Sequence, residues 1–351
     1  MHDADICTVP MAGPADVSEI RSRFESGEID PAHVVGIISQ TEGDGLVRGY
    51  ASQSLQLLLA EFLDISMADA FERIPMMMIG GTAGLMCPHH KLFIKRPAST
   101  KQPHAATGSD EIRLVLGVAN TRRLLPEEYG TLVQVREAAA AVRAAIADAG
   151  ISDIDDVQCV EMKVPHMTPA RVEEAASRGH DVVDRNLLTA SGMSRDASAL
   201  GAAVALGEIA ESDTSDADIG RNPALYSQRA SASLGGEQFA CRVVLIGSVA
   251  GAPSKLVVGR GMMDHQLDLA GARAAFAAAG LRMVDGALVA EDRDRIAAVF
   301  VNAGANYLPH TLGRRHTMNS DFLATWAGHQ AKAVVLGQSS GERLRRQQCW
   351  H

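Results

Sequence analysis

One pattern occurs twice in the chain and constrains its fold more than any other feature: an Ala-rich amphipathic helix, a glycine, and then an apolar strand. Residues 135–163 follow it, with the helix ending at Gly150, and residues 269–302 follow it again, with the helix ending at Gly280. Glycine is common just after a helix because it adopts the left-handed backbone conformation without strain. Residues 17–40 give a shorter version. The chain is therefore predicted to repeat one helix–strand unit.

The sequence after each of these strands also recurs, as a loop, a helix, a turn of small residues and a further apolar strand. The small-residue turns lie at 78–84 and 232–238, and a last helix is predicted over 323–337. Alternating strands and helices indicate the α/β class. We expect three similar repeats around a pseudo-threefold axis, with loops that converge on one central pocket. The predicted repeats are unit A (1–104), unit B (111–250) and unit C (255–351).

Composition excludes several classes of protein. Of 351 residues, 46% are hydrophobic and 21% charged, which is typical of a globular protein and not of a disordered chain. The net charge of −9 leaves no basic surplus for nucleic acid. The five cysteines form no CxxC pair, so neither a disulfide framework nor a zinc site is indicated. Without a signal peptide or an apolar span of ~20 residues, we expect a cytoplasmic protein with no membrane contact and a small-molecule partner.

Two residues of unit B suggest nucleophilic chemistry. Ser233 precedes two glycines in a turn, where exposed backbone N–H groups can hold a developing oxyanion. Lys163 ends an apolar strand, and a lysine buried there has a lowered pKa and can act as a general base. Such a serine and lysine form a known variant of the catalytic triad. The alternatives are a turn serine without chemistry and a surface lysine.

Other polar residues have two readings each. Arg195 and Arg315 are predicted where a loop enters a helix, where an arginine is either solvated or directed at the carbonyl oxygens of a bound ring. Cys87, His89 and His90 look superficially like metal ligands, but no matching carboxylate or second His–Cys set has suitable spacing. We therefore expect no metal and no cofactor.

Seven segments in order resemble the cyanuric acid hydrolase/barbiturase family of ring-opening cyclic amide hydrolases. They are QTEGDG, MIGGTAGLMCPHH, VEMKVPHMTP, SGMSRDASALGAAVALGEI, RASASLGGE, VGRGMMDH and GRRHTMNSD. The resemblance implies a three-repeat fold and one substrate ring held by a serine and an arginine from each repeat. It also implies hydrolysis by the Ser–Lys pair of the second repeat, and a homo-oligomer, specifically a tetramer.

Carried over by position, the resemblance makes Ser233 the nucleophile, Lys163 the base and Arg195 the carbonyl anchor of unit B. Units A and C depart from the pattern, because Gln40 and Asn302 stand where lysines are expected and Ile79 stands where a serine is expected. Ser52 lies near the arginine place of unit A, and Arg315 keeps that of unit C. The expected substrate-binding residues are Arg195, Arg315, Leu234, Ile79, Gly80, Ser52, Gln40 and Asn302.

The end of unit C departs further. Ala303, Gly304 and Ala305 lie where the resemblance implies a metal-binding glutamate, so no structural metal is expected. Ser339 or Ser340 is the remaining candidate for the third serine place. A ring of threefold symmetry suits three equivalent contacts, and this chain keeps one complete set.

Two hypotheses follow for function. The first is an amide hydrolase acting on a small cyclic amide, or a related acyl–nitrogen substrate, other than cyanuric acid, by a Ser–Lys mechanism. The second is a catalytically silent homologue that binds a small molecule or pairs with an active paralogue. Survival of the whole unit B set favours the enzyme. In it, Lys163 must be neutral to accept the serine proton, and we expect burial and the neighbouring Arg195 to lower its pKa.

Overall fold

The computed structural model describes residues 2–42, 45–80, 86–97, 111–265, 268–302, 310–311, 314–315 and 332–338. In this part of the chain, unit A forms a four-stranded sheet in the order β1-β4-β2-β3, in which only β2 and β3 are parallel. Its strands and helices are β1 (His2–Pro10), α1 (Ser18–Glu25), β2 (Val34–Gln40), α2 (Gly45–Leu63), α3 (Met67–Arg73), β3 (Met76–Ile79) and β4 (His89–Pro97).

Unit B repeats this sheet in the equivalent order β5-β8-β6-β7, again with a single parallel pair, β6 and β7. Helices cross between the two parallel strands in both units, as a parallel connection requires. The elements are β5 (Ile112–Asn120), α4 (Leu132–Ala149), β6 (Val157–Pro165), α5 (Pro169–Ser177), α6 (Leu187–Ala205), β7 (Ala230–Gly235) and β8 (Arg242–Ala250). Gly150 follows α4 with φ of +70°, as the sequence predicts.

Unit C shows three strands of the same pattern, in the order β9-β15-β12, which matches β5-β8-β6. Within the described residues no strand pairs with the free edge of β12, the place that β3 and β7 hold in the other units. The elements are β9 (Leu256–Met262), α7 (Leu269–Ala278), β10 (Met283–Val284), β11 (Ala287–Leu288), α8 (Ala290–Arg293), β12 (Ile296–Asn302), β13 (His310–Thr311), β14 (Arg314–Arg315) and β15 (Lys332–Gln338).

The segment at 332–338 corrects the helix predicted over 323–337. It forms the central strand β15, with β9 on one side and β12 on the other, and Val335 and Leu336 are fully buried in it. A short apolar run does not by itself distinguish a buried strand from a buried helix, and here the hydrogen bonding on both edges decides.

The position of β15 also corrects the expectation for Ser339 and Ser340. Both lie outside the described residues, but the strand that they follow is the counterpart of β4 and β8. The serine place belongs to β3 and β7, so neither residue occupies it. The segments that join the two inner strands of each unit are 41–88, 166–241 and 303–331, which are 48, 76 and 29 residues long. Unit C therefore has much less chain for a helix and a serine strand.

The three sheets pack their inner faces around one shared apolar core. Ile38 and Phe93 come from unit A, Leu116 and Ile246 from unit B, and Leu336 from unit C. The second face of the unit B sheet is covered by α4 and α6, whose alanines, among them Ala138 and Ala202, are fully buried. Equal strand order and a common core confirm the α/β fold of three similar units around a pseudo-threefold axis.

Close contact between a strand and its covering helix depends on glycine in two units. A Cβ on Gly117 of β5 would lie 1.9 Å from the Ala145 carbonyl oxygen of α4, and one on Gly259 of β9 would lie 2.1 Å from the Ala275 carbonyl oxygen of α7. No side chain fits at either place. In the described part of the chain, no helix is both long enough and apolar enough to span a bilayer.

Candidate active site

Lys163 and Ser233 lie directly opposite each other on the parallel strands β6 and β7. Opposite residues on adjacent strands point to the same face of a sheet, so both side chains leave the sheet on one side. Gln40 lies opposite Ile79 on β2 and β3 of unit A in the same arrangement. The lysine and serine places assigned from the sequence are thus structurally equivalent in these two units.

Lys163 carries a deeply buried amine. The side chain is 1% exposed, and its Nζ donates a 2.7 Å hydrogen bond to the backbone carbonyl of Met78 on β3 of unit A. Burial lowers the pKa of Lys163 to about 8; the carboxylate of Glu237 opposes this shift and the guanidinium of Arg48 adds to it. With such a pKa, about a tenth of the amine is neutral at pH 7.

The cationic neighbour of Lys163 is therefore Arg48, and the expectation that Arg195 plays this part is wrong. Arg48 lies in the first turns of α2 in unit A, and its charge acts on Lys163 and on His166 of unit B. A contact between two units separated by more than a hundred residues cannot be inferred from spacing along one unit.

Ser233 is partly buried and weakly held. Its Oγ donates a long hydrogen bond, 3.5 Å, to the backbone carbonyl of Met162, which directly precedes Lys163. A hydroxyl with one long hydrogen bond rotates easily toward another acceptor. The geometry leaves Ser233 Oγ available to a base on the Lys163 side.

A tight turn follows Ser233 and requires glycine at its start. A Cβ on Gly235 would lie 2.5 Å from Glu237 Oε1, whereas one on Gly236 would meet nothing within 4 Å. The backbone N–H groups of Gln238 and His166 both donate to the Gly235 carbonyl at 3.2 Å. The turn is thereby closed on itself and attached to the end of β6.

Arg195 lies in the middle of α6, so the prediction that it stands where a loop enters a helix is wrong. The helix begins at Leu187, with Asn186 as its N-cap, because the amide oxygen of Asn186 accepts from two backbone N–H groups. Ser194 Oγ donates to the Pro165 carbonyl at 2.8 Å and joins α6 to the end of β6. Burial lowers the pKa of Arg195 to about 10, against the charge of Asp196, and the side chain stays cationic at neutral pH.

The unit A residues are buried to different extents. Gln40 is 9% exposed, and its Nε2 has no hydrogen-bond partner among the described residues. Ser52 is buried in α2 and accepts a 3.0 Å hydrogen bond from Gln56, so its hydroxyl is engaged within its own helix. Ile79 is partly buried against the shared core, and Gly80, which follows it, is also partly buried.

The remaining predicted residues belong to units B and C. Leu234 is partly buried against the unit B core. Asn302 ends β12, and its Nδ2 donates a 3.4 Å hydrogen bond to Ser231 Oγ on β7. Arg315 pairs with His310 in the hairpin of β13 and β14, not at a helix entry as predicted, and its side chain lies outside the described residues. Ala303, Gly304 and Ala305 also lie outside them.

Side chains of one unit contact the serine strand of the unit before it. Lys163 of unit B donates to Met78 on β3, and Gln238 of unit B donates to the Met76 carbonyl on the same strand at 3.2 Å. Asn302 of unit C contacts β7 of unit B through Ser231. Met76 and Met78 carbonyls point away from β2, so these contacts satisfy the outer edge of β3.

Two residues of this region were missed by the sequence analysis. Arg48 precedes Ser52 by one helical turn, and a search for an arginine within a turn of that place would have found it. Glu237 ends the segment RASASLGGE, and its two-glycine turn was a signal that its carboxylate folds back toward Ser233.

The metal-like residues of unit A are engaged within the fold. His90 is fully buried, with Nδ1 2.7 Å from Ser39 Oγ and Nε2 3.0 Å from the Asp16 carbonyl, and His89 Nδ1 lies 2.8 Å from the Cys87 carbonyl. Across the residues that the structure describes, no three His, Cys, Asp or Glu side chains are grouped so that they could bind a metal ion.

Comparisons with known proteins agree with this geometry. Residues 5–341 match the model of the amidohydrolase ring-opening protein family. A cyclic amide hydrolase from Azorhizobium caulinodans is 38% identical over 95% of this chain and 90% of its own length, and so is a cyanuric acid amidohydrolase from Pseudomonas sp. strain ADP. Among solved structures, a cyanuric acid hydrolase superposes with a TM-score of 0.86 at 33% identity, over 97% of this chain and all of the other.

A second cyanuric acid hydrolase structure, from A. caulinodans, has a TM-score of 0.82 at 31% identity over 97% of this chain and all of the other. Fold and sequence thus define the class as hydrolases of carbon–nitrogen bonds in cyclic amides. The chain belongs to the family of ring-opening amidohydrolases.

Proposed function

We propose that this protein opens the ring of a small cyclic amide other than cyanuric acid, with Ser233 as the nucleophile and Lys163 as the general base. One observation carries the proposal: Lys163 lies opposite Ser233 on parallel strands, fully buried, with its pKa lowered to about 8. A lysine in that state supplies a neutral amine beside a serine hydroxyl near physiological pH.

The proposed reaction needs no other base. The neutral amine of Lys163 takes the proton of Ser233 as Oγ attacks the amide carbonyl carbon. Backbone N–H groups of the turn after Ser233, beginning at Leu234, stabilise the oxyanion, and Arg195 binds a second carbonyl oxygen. When the C–N bond breaks, the ring nitrogen takes the proton from the Lys163 ammonium. Water then hydrolyses the acyl ester and restores Ser233.

The proposed substrate is less symmetric and more apolar than cyanuric acid. At the unit A place the chain offers the neutral amide of Gln40 and the hydrocarbon side chain of Ile79, where unit B has Lys163 and Ser233. Unit C has only 29 residues between its inner strands. Each lost charged contact costs on the order of 1.5–3 kcal/mol of binding free energy. The set of contacts therefore suits a ring with one strongly polar edge.

A hydrolysis screen tests the proposal. The wild-type protein is incubated with cyanuric acid, barbiturates, hydantoins, lactams and linear acyl amides, and ring-opened products are detected as a mass gain of one water. We expect a cyclic amide other than cyanuric acid to be opened by the wild type and not by Ser233→Ala or Lys163→Arg. Product formation by Ser233→Ala at the wild-type rate would disprove the assigned nucleophile.

A second candidate is a homologue that binds a cyclic amide without hydrolysing it. The short connection in unit C and the replacement of lysine by Asn302 favour it, because they remove contacts without affecting the unit B pair. The two candidates differ in the same screen, since a silent homologue would show binding by calorimetry and no gain of water in any ring.

We also propose a cytoplasmic homo-oligomer, a tetramer by the family resemblance. Cys7, Cys87, Cys159 and Cys241 form no disulfide bond in the described part of the chain, which suits a reducing compartment. Sedimentation equilibrium of the purified protein measures the assembly directly, and a single species of about 37 kDa would contradict it.

A further inference from the structure

We propose that Arg171 is a positioning residue for this reaction: its guanidinium fixes the turn that follows Ser233 and places an unpaired positive charge behind it. The inference rests on the proposed function, because it assigns to that turn the backbone groups that stabilise the oxyanion. It concerns a side chain that lies on α5, outside the serine, lysine and arginine places of the repeats.

The guanidinium of Arg171 joins two segments of unit B backbone. It donates to the carbonyl of His166, at the end of β6, and on the other side to the carbonyls of Gly236 at 3.1 Å and Gln238 at 2.5 Å. The side chain is 6% exposed. The planar fork of an arginine makes several such hydrogen bonds at once, whereas a lysine ammonium cannot span the same acceptors.

These hydrogen bonds determine the directions of peptide N–H groups. Each peptide group is planar, so an immobilised carbonyl oxygen also immobilises the N–H on the opposite edge of the same group. Arg171 holds the carbonyls of Gly236 and Gln238, and backbone N–H groups hold that of Gly235. Consecutive peptide groups next to Ser233 are thus fixed before substrate binds, which is the condition for effective oxyanion stabilisation.

The charge of Arg171 is not cancelled by an ion pair with any carboxylate that the structure describes. Its guanidinium lies 4.5 Å from the ring centroid of Phe239 and 5.5 Å from that of Tyr129. Glu237 is its acidic electrostatic neighbour, without contact close enough for a salt bridge. A cation that is held by carbonyl dipoles and aromatic faces keeps its field, and an oxyanion that forms at the turn is stabilised by it.

The experiment uses a fluorophosphonate that labels active serines. Oγ of Ser233 bonds to phosphorus, fluoride leaves, and the serine proton passes to Lys163. We compare wild type with Arg171→Lys, which keeps the charge and loses the fork, and Arg171→Met, which loses both. Arg178→Lys is the matched control, because Arg178 ends the same helix but is paired at the surface with Glu127 and Glu174.

We expect the maximal labelling rate to fall about 100-fold in Arg171→Met and about 10-fold in Arg171→Lys, as when oxyanion-stabilising groups are lost. The half-saturating probe concentration should change less than about threefold, because the binding contacts remain. Arg178→Lys should label like wild type. Equal maximal rates in wild type and Arg171→Met would overturn the proposal.

Amide hydrogen exchange of residues 234–239 in the same proteins separates this inference from the proposed function. We expect faster exchange in both Arg171 variants and unchanged exchange in α4, which shows that the fold persists. Unchanged exchange at the turn would overturn the positioning role. Faster exchange together with an unlabelled wild-type Ser233 would refute the proposed nucleophile and, with it, the catalytic part of Arg171.

Discussion

Lys163 places an amine in a position where water cannot solvate its charge. A side chain that is 1% exposed and hydrogen-bonded only to a backbone carbonyl gains little from being an ammonium. Because the pKa falls from its ordinary value of 10.5 to about 8, protonated Lys163 costs the folded protein about 3 kcal/mol near neutral pH. The fold carries this cost at the one place where a neutral amine is useful.

Activity should follow the titration of that amine. Only neutral Lys163 accepts a proton, so kcat/KM for any substrate found in the screen should rise with pH through about 8. Glu237→Gln removes the carboxylate that raises the pKa of Lys163, and the rise should shift to lower pH. Arg48→Gln removes the cation that lowers it, and the rise should shift to higher pH. Shifts in the same direction for both variants would contradict the assigned neighbours.

Stability should respond to the same group. Between about pH 8 and 10.5 the unfolded chain binds more protons at Lys163 than the folded one, so the free energy of unfolding rises with pH in that window. Lys163→Met avoids the penalty of about 3 kcal/mol below pH 8 but leaves the Met78 carbonyl without its donor, at a cost of about 1 kcal/mol. It should therefore be more stable than wild type at pH 6, and inactive.

Urea denaturation at pH 6 and pH 9.5 measures this difference. Exposed Lys255 provides the control, because Lys255→Met removes an amine that water already solvates. The advantage of Lys163→Met should shrink at pH 9.5. A variant less stable than wild type at pH 6 would show that Lys163 stabilises the fold as a cation.

At the scale of elements, the packing of a helix on its sheet depends on a residue with no side chain. Gly117→Ala should destabilise the protein by about 2–3 kcal/mol, because the new Cβ would overlap the Ala145 carbonyl and move α4 away from β5. Gly192→Ala on α6 meets nothing within 4 Å and should stabilise by about 0.5–1 kcal/mol. Thermal unfolding of both variants tests the contrast, and equal melting temperatures would refute it.

Elements were predictable where local sequence determines them. The helix that ends at Gly150 and the strands that end at Gln40 and Asn302 occur where periodicity and glycine placed them. Prediction failed where tertiary contacts decide. Residues 332–338 became a strand because two neighbours pair with them, and α6 starts early enough to contain Arg195 because Asn186 caps it eight residues before the loop was expected to end.

The site was predictable for the same reason that it was incomplete. Lys163 and Ser233 belong to one unit and fall at recurring places, so a comparison of repeats finds them. Arg48 acts on Lys163 from another unit, and the Met78 carbonyl that holds its Nζ has no side-chain signature. Contacts between units depend on how three sheets share a core, which no single repeat encodes.

For the whole molecule, the unequal units predict a choice of substrate. Cyanuric acid presents three equivalent edges, and Gln40, Ile79 and Asn302 replace the charged and hydroxyl groups that two of those edges would meet. We expect kcat/KM for cyanuric acid well below ~10⁴ M⁻¹s⁻¹, the lower end of the usual range for enzymes. Steady-state rates with pure cyanuric acid measure it, and a larger value would show that one complete set suffices.

The hydrogen bond from Lys163 to the Met78 carbonyl has a consequence for how such a chain evolves. A backbone carbonyl is present whatever amino acid the gene encodes, so substitutions that erased the chemistry of unit A could not erase this contribution to its neighbour. Drift is then free to alter Gln40 and Ile79 while selection still retains the strand that carries them. A gene fragment for unit B alone would lack that strand, and descent by shortening is closed to this protein even though two of its three units have lost their own reactive side chains.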